Sequence, residues 1–426
     1  MSRRDSRSPR SIRERAKIVE EMIKTQTSFI QVENGSVGTP KGFHTGGQNI
    51  GLRTKRPDMG WIYSVTPASA AGVYTTNLFQ AAPLQVTQAS IAEEQKLQAV
   101  LVNTVSANSC TGQEGIDNAY TTRTWMAGHL GIPDHLVGVA STGVIGLQLD
   151  MDKMEKGIAS IALDEPKAPF EEAILTTDTK PKHLAVQFEI DGKKVTIGGA
   201  CKGSGMIHPN MATMLGFVTT DAAVAPDALS HALKASVNKT FNRITVDGDT
   251  STNDMVLVLA NGMAENKLLN EQHPEWQTFL KGLQMVCQGL AKFIAADGEG
   301  ATKLIEVQVS GAKDDHSAEV ISKSIVGSSL VKTAVFGSDA NWGRVICAMG
   351  YSGESFDTNK VSMALGDIVL FKDGMPVAFD EEKAKEYLNG DSVVIKTTLG
   401  EGNGEAVAWG CDLTYNYVKI NASYRS

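Results

Sequence analysis

Apolar and polar residues alternate through Leu184–Ile190, Asp191-Gly192 follows, and Val195–Ala200 continues as a second extended run. An alternating run and a second extended run on either side of two residues that enter positive φ readily predict a β-hairpin. Pro226 followed by Leu229, Leu233 and Val237 has the spacing of an amphipathic helix opened by proline. Trp276, Phe279, Leu280, Leu283, Leu290, Phe293 and Ile294 trace a longer helix closed near Gly298. Between them Met255–Ala260 is uniformly apolar and short, the pattern of a strand buried on both faces. The last third adds strands at Ile305–Val309, Val331–Phe336 and Ile368–Phe371, a turn at Asp373-Gly374, and extended runs at Ser392–Leu399 and Ala406–Leu413. Hairpins mixed with helices predict an α/β fold of the α+β layered-sandwich kind rather than a doubly wound parallel sheet.

Composition narrows the class. A chain of 426 residues holds about three domain-sized units, or one large α/β body with an attached lobe. With 42% hydrophobic and 21% charged residues it is neither disordered, collagenous nor a coiled coil. A formal charge of -8 gives no phosphate-neutralising excess, so no nucleic-acid partner is expected. Gly60–Ala92 is free of charge but interrupted by Pro67 and Pro83 and rich in Ser, Thr, Asn and Gln, too polar to span lipid. No membrane association is expected. Arg3, Arg4, Arg7, Arg10, Arg13 and Arg15 lie among serines before a short helical pattern through Ile18 and Met22, and residues 1–34 read as a basic extension. Asp5 and Glu14 argue against a transit segment and no secretory core is present, so the expected location is cytoplasmic.

Several chemistries fail on spacing. Cys110, Cys201, Cys287, Cys347 and Cys411 are dispersed, with no Cys-x-x-Cys pair, and the eight histidines are equally scattered. Neither a disulfide scaffold nor a metal centre is expected. Gly198–Gly205 resembles a phosphate cradle, but Gly203 stands between Lys202 and Ser204 where a P-loop needs them adjacent. Asp247–Asp254 resembles a calcium loop whose register fails, since an EF-hand would put glycine at Thr252 and glutamate at Val258. This leaves Lys202 as a cation where backbone can approach a ligand closely, and a dense oxygen cluster able to brace a catalytic site.

Lys202–Phe217 is the most informative stretch, a glycine-rich run leading to Ala212 and Thr213 at mid-chain. With it stand Thr75-Thr76-Asn77 through Pro83, Asn108-Ser109-Cys110-Thr111-Gly112, Ser141–Gly146, Thr176-Thr177-Asp178 and Asp247–Asp254. Further on come Asp297–Lys303, Asp339–Arg344 and Tyr417–Tyr424. In these blocks, from about Gly38 onward, the chain resembles the ornithine acetyltransferase, or glutamate N-acetyltransferase, family of arginine biosynthesis. One local departure is Asn103-Thr104-Val105-Ser106, where that family usually has Asn-Ser-Gly-Asn.

The resemblance implies an architecture similar to the N-terminal-nucleophile fold. It also implies a precursor that cuts its own backbone between Ala212 and Thr213, so that residues 35–212 belong to an α chain and residues 213–426 form a β chain. Thr213 is then the nucleophile, and its new α-amino group, with an ordinary pKa of about 7.7–8.0, is the base. Thr111 and Gly112 are implied as oxyanion donors. Thr176, Lys202, Thr213, Glu299, Asn421 and Ser426 are implied as substrate contacts, with the carboxylate on Lys202 and the side-chain amine on Glu299. The implied reaction is ping-pong transfer of acetyl from N2-acetyl-L-ornithine to L-glutamate, by a heterotetramer of two α and two β chains. No cofactor or metal is implied, and acetyl-CoA is left open as a co-substrate.

Two other readings fit the same residues: an aminopeptidase or amidase using the same threonine, and an amino-acid-binding regulator that is never cut.

Overall fold

Asp191 and Gly192 adopt φ of 51° and 67° and turn the chain between two long antiparallel strands, as the pattern around them predicts. The structure is a computed structural model describing residues 28–208 and 214–423. The Arg-rich segment with Ile18 and Met22, Ala212, Thr213 and Ser426 lie outside the described residues.

In chain order the first eight strands are β1 (Ile30–Gln31), β2 (Phe43–Gln48), β3 (Met59–Tyr74), β4 (Lys96–Asn103), β5 (Val137–Ser141), β6 (Lys182–Ile190), β7 (Lys193–Lys202) and β8 (Leu215–Thr220). After β9 (Ile244–Thr245) comes β10 (Met255–Ala260). All but β9 form one sheet in the order β1-β6-β7-β8-β10-β3-β4-β5, with β2 also on β3. The uncharged run from Gly60 is explained by β3, a central 16-residue strand that pairs with β2, β4 and β10. Residues 28–34, grouped with the basic extension on sequence, belong to the fold: β1 pairs with β6, and buried Phe29 packs on Phe188.

The helices facing this sheet are α1 (Ala82–Glu94), α2 (Gly112–Leu130), α3 (Met151–Ala159), α4 (Phe170–Ala173), α5 (Pro226–Lys239) and α6 (Trp276–Ala296). On one face Leu229, Leu233, Phe279, Leu283 and Leu290 pack against Leu184, Ile197, Val218 and Val256. On the other, Leu215, Phe217 and Leu257 meet Ile62, Val100 and Phe170. Burial on both faces is why β10 reads as a continuous apolar run.

The second sheet holds β9 with β11 (Leu304–Ala312), β12 (Ser362–Leu365), β13 (Ile368–Lys372), β14 (Met375–Pro376), β15 (Ser392–Thr398) and β16 (Gly404–Cys411). Its core includes α7 (Asp315–Gly327), α8 (Ser329–Phe336) and α9 (Trp342–Gly350), while α10 (Glu381–Leu388) and α11 (Tyr415–Ser423) complete the helices. Helix α6 touches both sheets, its cluster taking in Leu304, Trp409 and Cys411. The layered α/β expectation is met.

One element was misread. Val331–Phe336 is the body of α8, not a strand. Its branched and aromatic residues favour a strand locally, but Ser328 accepts from the Val331 N–H and caps a helix whose buried residues are Val331, Lys332, Ala334 and Val335.

The position of β8 matters for the site. It lies between β7 and β10, and β10 lies between β8 and β3. A cut between residues 212 and 213 therefore leaves two strands of the second piece hydrogen-bonded inside a sheet of the first.

Candidate active site

Lys202 ends β7 opposite Leu215 of β8, and its side chain enters a cavity of about 250 Å3. Thr176, Glu299 and Asn421, all proposed from the motifs, line the same cavity, as do Met214 and Leu215, immediately after Thr213. Four sequence-predicted contacts thus converge from the loop before β6, the end of β7, the turn after α6, and α11.

Lys202 is 9% exposed, and among the described residues its ammonium hydrogen-bonds Thr142 Oγ1 at 3.3 Å. Burial drives its pKa below the ordinary lysine value, with Asp178, Asp254 and Glu299 pulling the other way. A carboxylate placed here would meet a desolvated cation. Glu299, 7% exposed, accepts from Asn421 Nδ2 at 2.7 Å, and its own N–H donates to Ser204 O at 2.9 Å. The same cavity therefore also carries an anchored carboxyl group. Gly205 is glycine for a steric reason: an added β-carbon would fall 2.4 Å from Glu299 Cδ.

Behind the two walls lies a buried triad that sequence reading missed. Lys182 Nζ donates to Asp178 Oδ1 and to Asp297 Oδ2, each at 2.6 Å. Asp178 also accepts from the N–H groups of Gly203 at 2.7 Å and Thr176 at 3.0 Å. Burial alone would raise the Asp178 carboxyl, but Lys182, Lys202 and the Gly203 N–H hold it well below the usual carboxylate range. Asp297 accepts from the N–H and hydroxyl of Thr179. A lysine heading an alternating strand normally faces water, so nothing in the sequence pattern singled out Lys182.

The oxygen-rich Asp247–Asp254 segment holds the chain on either side of the undescribed residues 209–213. Asp247 accepts from Met206 N–H at 2.7 Å, Ile207 N–H at 2.8 Å and Tyr417 hydroxyl at 3.2 Å. Thr250 Oγ1 donates to His208 O at 2.9 Å, and Met255 N–H donates to Met214 O at 2.9 Å. Asn253 donates to Ala107 O at 2.6 Å and Ser141 O at 2.9 Å, tying this segment to the loop that leads to Thr111.

Thr111 and Gly112 do not line the cavity. They stand at the start of α2, where first-turn N–H groups lack intrahelical partners and suit an anion. Thr111 Oγ1 donates to Asn108 Oδ1 at 2.7 Å, and Asn108 Nδ2 donates to Gly115 O at 2.8 Å. The Thr111 proton must turn away from Asn108 before it can reach another acceptor. Val105 in this loop, at the family's usual glycine position, has φ 78°.

The ArgJ family model matches residues 44–426. The chain belongs to the ArgJ family. The arginine biosynthesis bifunctional protein ArgJ of Bacillus subtilis is 56% identical over 407 residues, covering 95% of this chain and 100% of that protein. Its counterpart in Oceanobacillus iheyensis is 56% identical over 396 residues, covering 93% of this chain and 97% of that one. A crystal structure of the arginine biosynthesis bifunctional protein from Bacillus halodurans is 58% identical with a TM-score of 0.49, covering 50% of this chain and 100% of that chain. The resemblance drawn from the motifs is that of an ArgJ family member, and the activity expected from it, an acetyltransferase of arginine biosynthesis, is the one the family carries. Among the described residues no helix is long and apolar enough to cross a membrane.

Proposed function

We propose that the cavity between Lys202 and Glu299 binds N2-acetyl-L-ornithine and L-glutamate in turn, and that Thr213 carries the acetyl group between them. The observation behind this reading is a buried cation and a buried anion on one cavity, next to the residues that follow Thr213. An α,ω-diamino acid has that pattern of opposite charges.

The nucleophile is produced by self-cleavage. Thr213 Oγ attacks the Ala212 carbonyl and the acyl group shifts from nitrogen to oxygen. Water then hydrolyses the ester, leaving a carboxylate on Ala212 and a free amine on Thr213. Support comes from the anchoring of residues 206–208 and 214 by the 247–255 segment, which holds both flanks of the scissile stretch.

The new amine, neutral in useful fraction near pH 8, removes the proton of its own hydroxyl as Oγ attacks the acetyl carbonyl. The tetrahedral oxyanion is held by Gly112 N–H, joined by Thr111 when its hydroxyl turns, a donor of the kind worth about 2.7–4 kcal/mol. Collapse releases ornithine with the proton and leaves acetyl-threonine. The α-amine of glutamate attacks that ester, takes the acetyl group and restores Thr213. Lys202 holds the α-carboxylate of either amino acid, and Glu299 holds the ornithine ammonium. Ser426 belongs to this set of proposed contacts, as do the two-α, two-β assembly and acetyl-CoA as a second donor.

Thr213→Ala tests the reading. Intact-mass measurement should find one uncut 45.5 kDa chain without transfer activity, beside a wild type that is cut and active. A cut at the same bond in the variant would remove Thr213 from the role. Release of acetate at a rate indifferent to glutamate would favour the amidase reading over transfer.

A further inference from the structure

We propose that Lys182 is a positioning residue that fixes the separation of the two charged walls and so selects the length of the diamino acid the cavity accepts. The inference rests on the reading that Lys202 takes the α-carboxylate and Glu299 the side-chain ammonium.

The brace can be followed atom by atom. Lys202 is followed by Gly203, whose N–H donates to Asp178 Oδ1 at 2.7 Å. The same carboxylate takes Lys182 Nζ at 2.6 Å, and Lys182 reaches Asp297 Oδ2 at 2.6 Å. Asp297 lies two residues before Glu299. Asp178 also receives the N–H of Thr176, so the carboxylate wall hangs on one end of the triad and the ammonium wall on the other. The Lys182 side chain is 2% exposed, and the carboxylates beside it are 0% and 6% exposed. Charge-assisted bonds this short and dry leave little play.

The triad also bridges the proposed cut, with Asp178 and Lys182 before residue 212 and Asp297 after it. Once the peptide is gone, the triad helps carry the relation between the walls from one piece to the other. Ser204 supplies a second tie, accepting from Glu299 N–H at 2.9 Å and donating its hydroxyl to Asp297 O at 2.7 Å. That tie locates the Glu299 backbone and gives a Lys182 variant a route to fold. Lys182 adds the stiffness that separates a four-carbon side chain from a three-carbon one.

The test compares N2-acetyl-L-ornithine with N2-acetyl-L-lysine, one methylene longer, as donors to glutamate, in the full-length self-processed enzyme. A pocket that reads one methylene discriminates by about 10–200-fold. Wild type should favour the ornithine donor within that range. Lys182→Met should compress the ratio to below about threefold, chiefly through a raised KM for acetylornithine. Asp297→Asn retains the Lys182–Asp178 pair and an acceptor at position 297, and should compress the ratio part of the way. It decides the matter alone if Lys182→Met does not fold. A ratio unchanged from wild type, or equal loss toward both donors, overturns the positioning role. A wild type that transfers acetyl from neither donor overturns the reading of the pocket itself, and this inference with it.

Discussion

The Glu299 carboxylate lies directly against the α-carbon of Gly205, so close that a methyl group there would sit 2.4 Å from Cδ and 2.5 and 2.6 Å from its oxygens. Gly205 is not at positive φ, so alanine would be tolerated by the backbone and resisted only by the carboxylate. Gly205→Ala should therefore displace Glu299 and weaken its bond to Asn421. The expected outcome is a KM for N2-acetylornithine raised about tenfold, equivalent to roughly 1.4 kcal/mol, with little change in melting temperature. Unchanged KM would mean that Glu299 does not contact the donor.

Lys202 gives a pH dependence with a definite sign. Its folded pKa lies below the ordinary 10.5 because the ammonium is buried, so the cation is lost at lower pH than on an exposed lysine. The proposed carboxylate contact needs the cation, and KM should rise as pH increases through that lowered value. On the acid side, kcat should fall as the proposed Thr213 amine gains a proton below about 7.7–8.0. Steady-state kinetics against pH should give a bell for kcat/KM, and Lys202→Met should erase its alkaline limb while raising KM about 10–100-fold, the worth of a charged hydrogen bond. Persistence of that limb in the variant would assign it to another group.

Val105 holds φ 78°, a left-handed conformation that costs a non-glycine residue about 1–2 kcal/mol. Its carbonyl accepts from Val144 N–H at 2.8 Å and fixes the approach of the two loops behind the cavity. Val105→Gly should keep that bond, relieve the strain and stabilise the protein by about 1 kcal/mol net of the glycine entropy. Scanning calorimetry should show a small rise in melting temperature, and a fall would show that the valine side chain contributes more than its conformation costs.

Asn253 satisfies two buried carbonyls on the other side of the proposed cut, those of Ala107 and Ser141. Asn253→Ala strands both, at about 1–3 kcal/mol each. Denaturation midpoints should drop accordingly, and kcat should fall with them because the same loop carries Thr111 and Gly112. A variant as stable as wild type would show that the carbonyls find other donors.

Much of the fold could be read from the chain because local and long-range preferences agree there. Asp191-Gly192 sits at the hairpin, Met255–Ala260 is the buried strand, and the Trp276 helix runs as its apolar stripe indicates. Reading failed at Val331–Phe336, where branched residues point to a strand and Ser328 with the surrounding packing imposes a helix. The candidate site could be assembled only from the family motifs. Thr176, Lys202, Glu299 and Asn421 come from four separate segments, and no spacing rule connects a strand end to a helix near the end of the chain. Lys182 stayed hidden because a lysine's sequence context does not reveal that two aspartates close over it.

The interleaving of β8 and β10 with β7 and β3 bears on how the enzyme can be made. A gene split at codon 213 would yield a first fragment with a gap in its sheet, exposing unpaired β7 and β3 borders that invite self-association. Such halves should precipitate when expressed apart and recover only on co-synthesis, whereas one continuous reading frame lets the sheet close before the proposed cut is made.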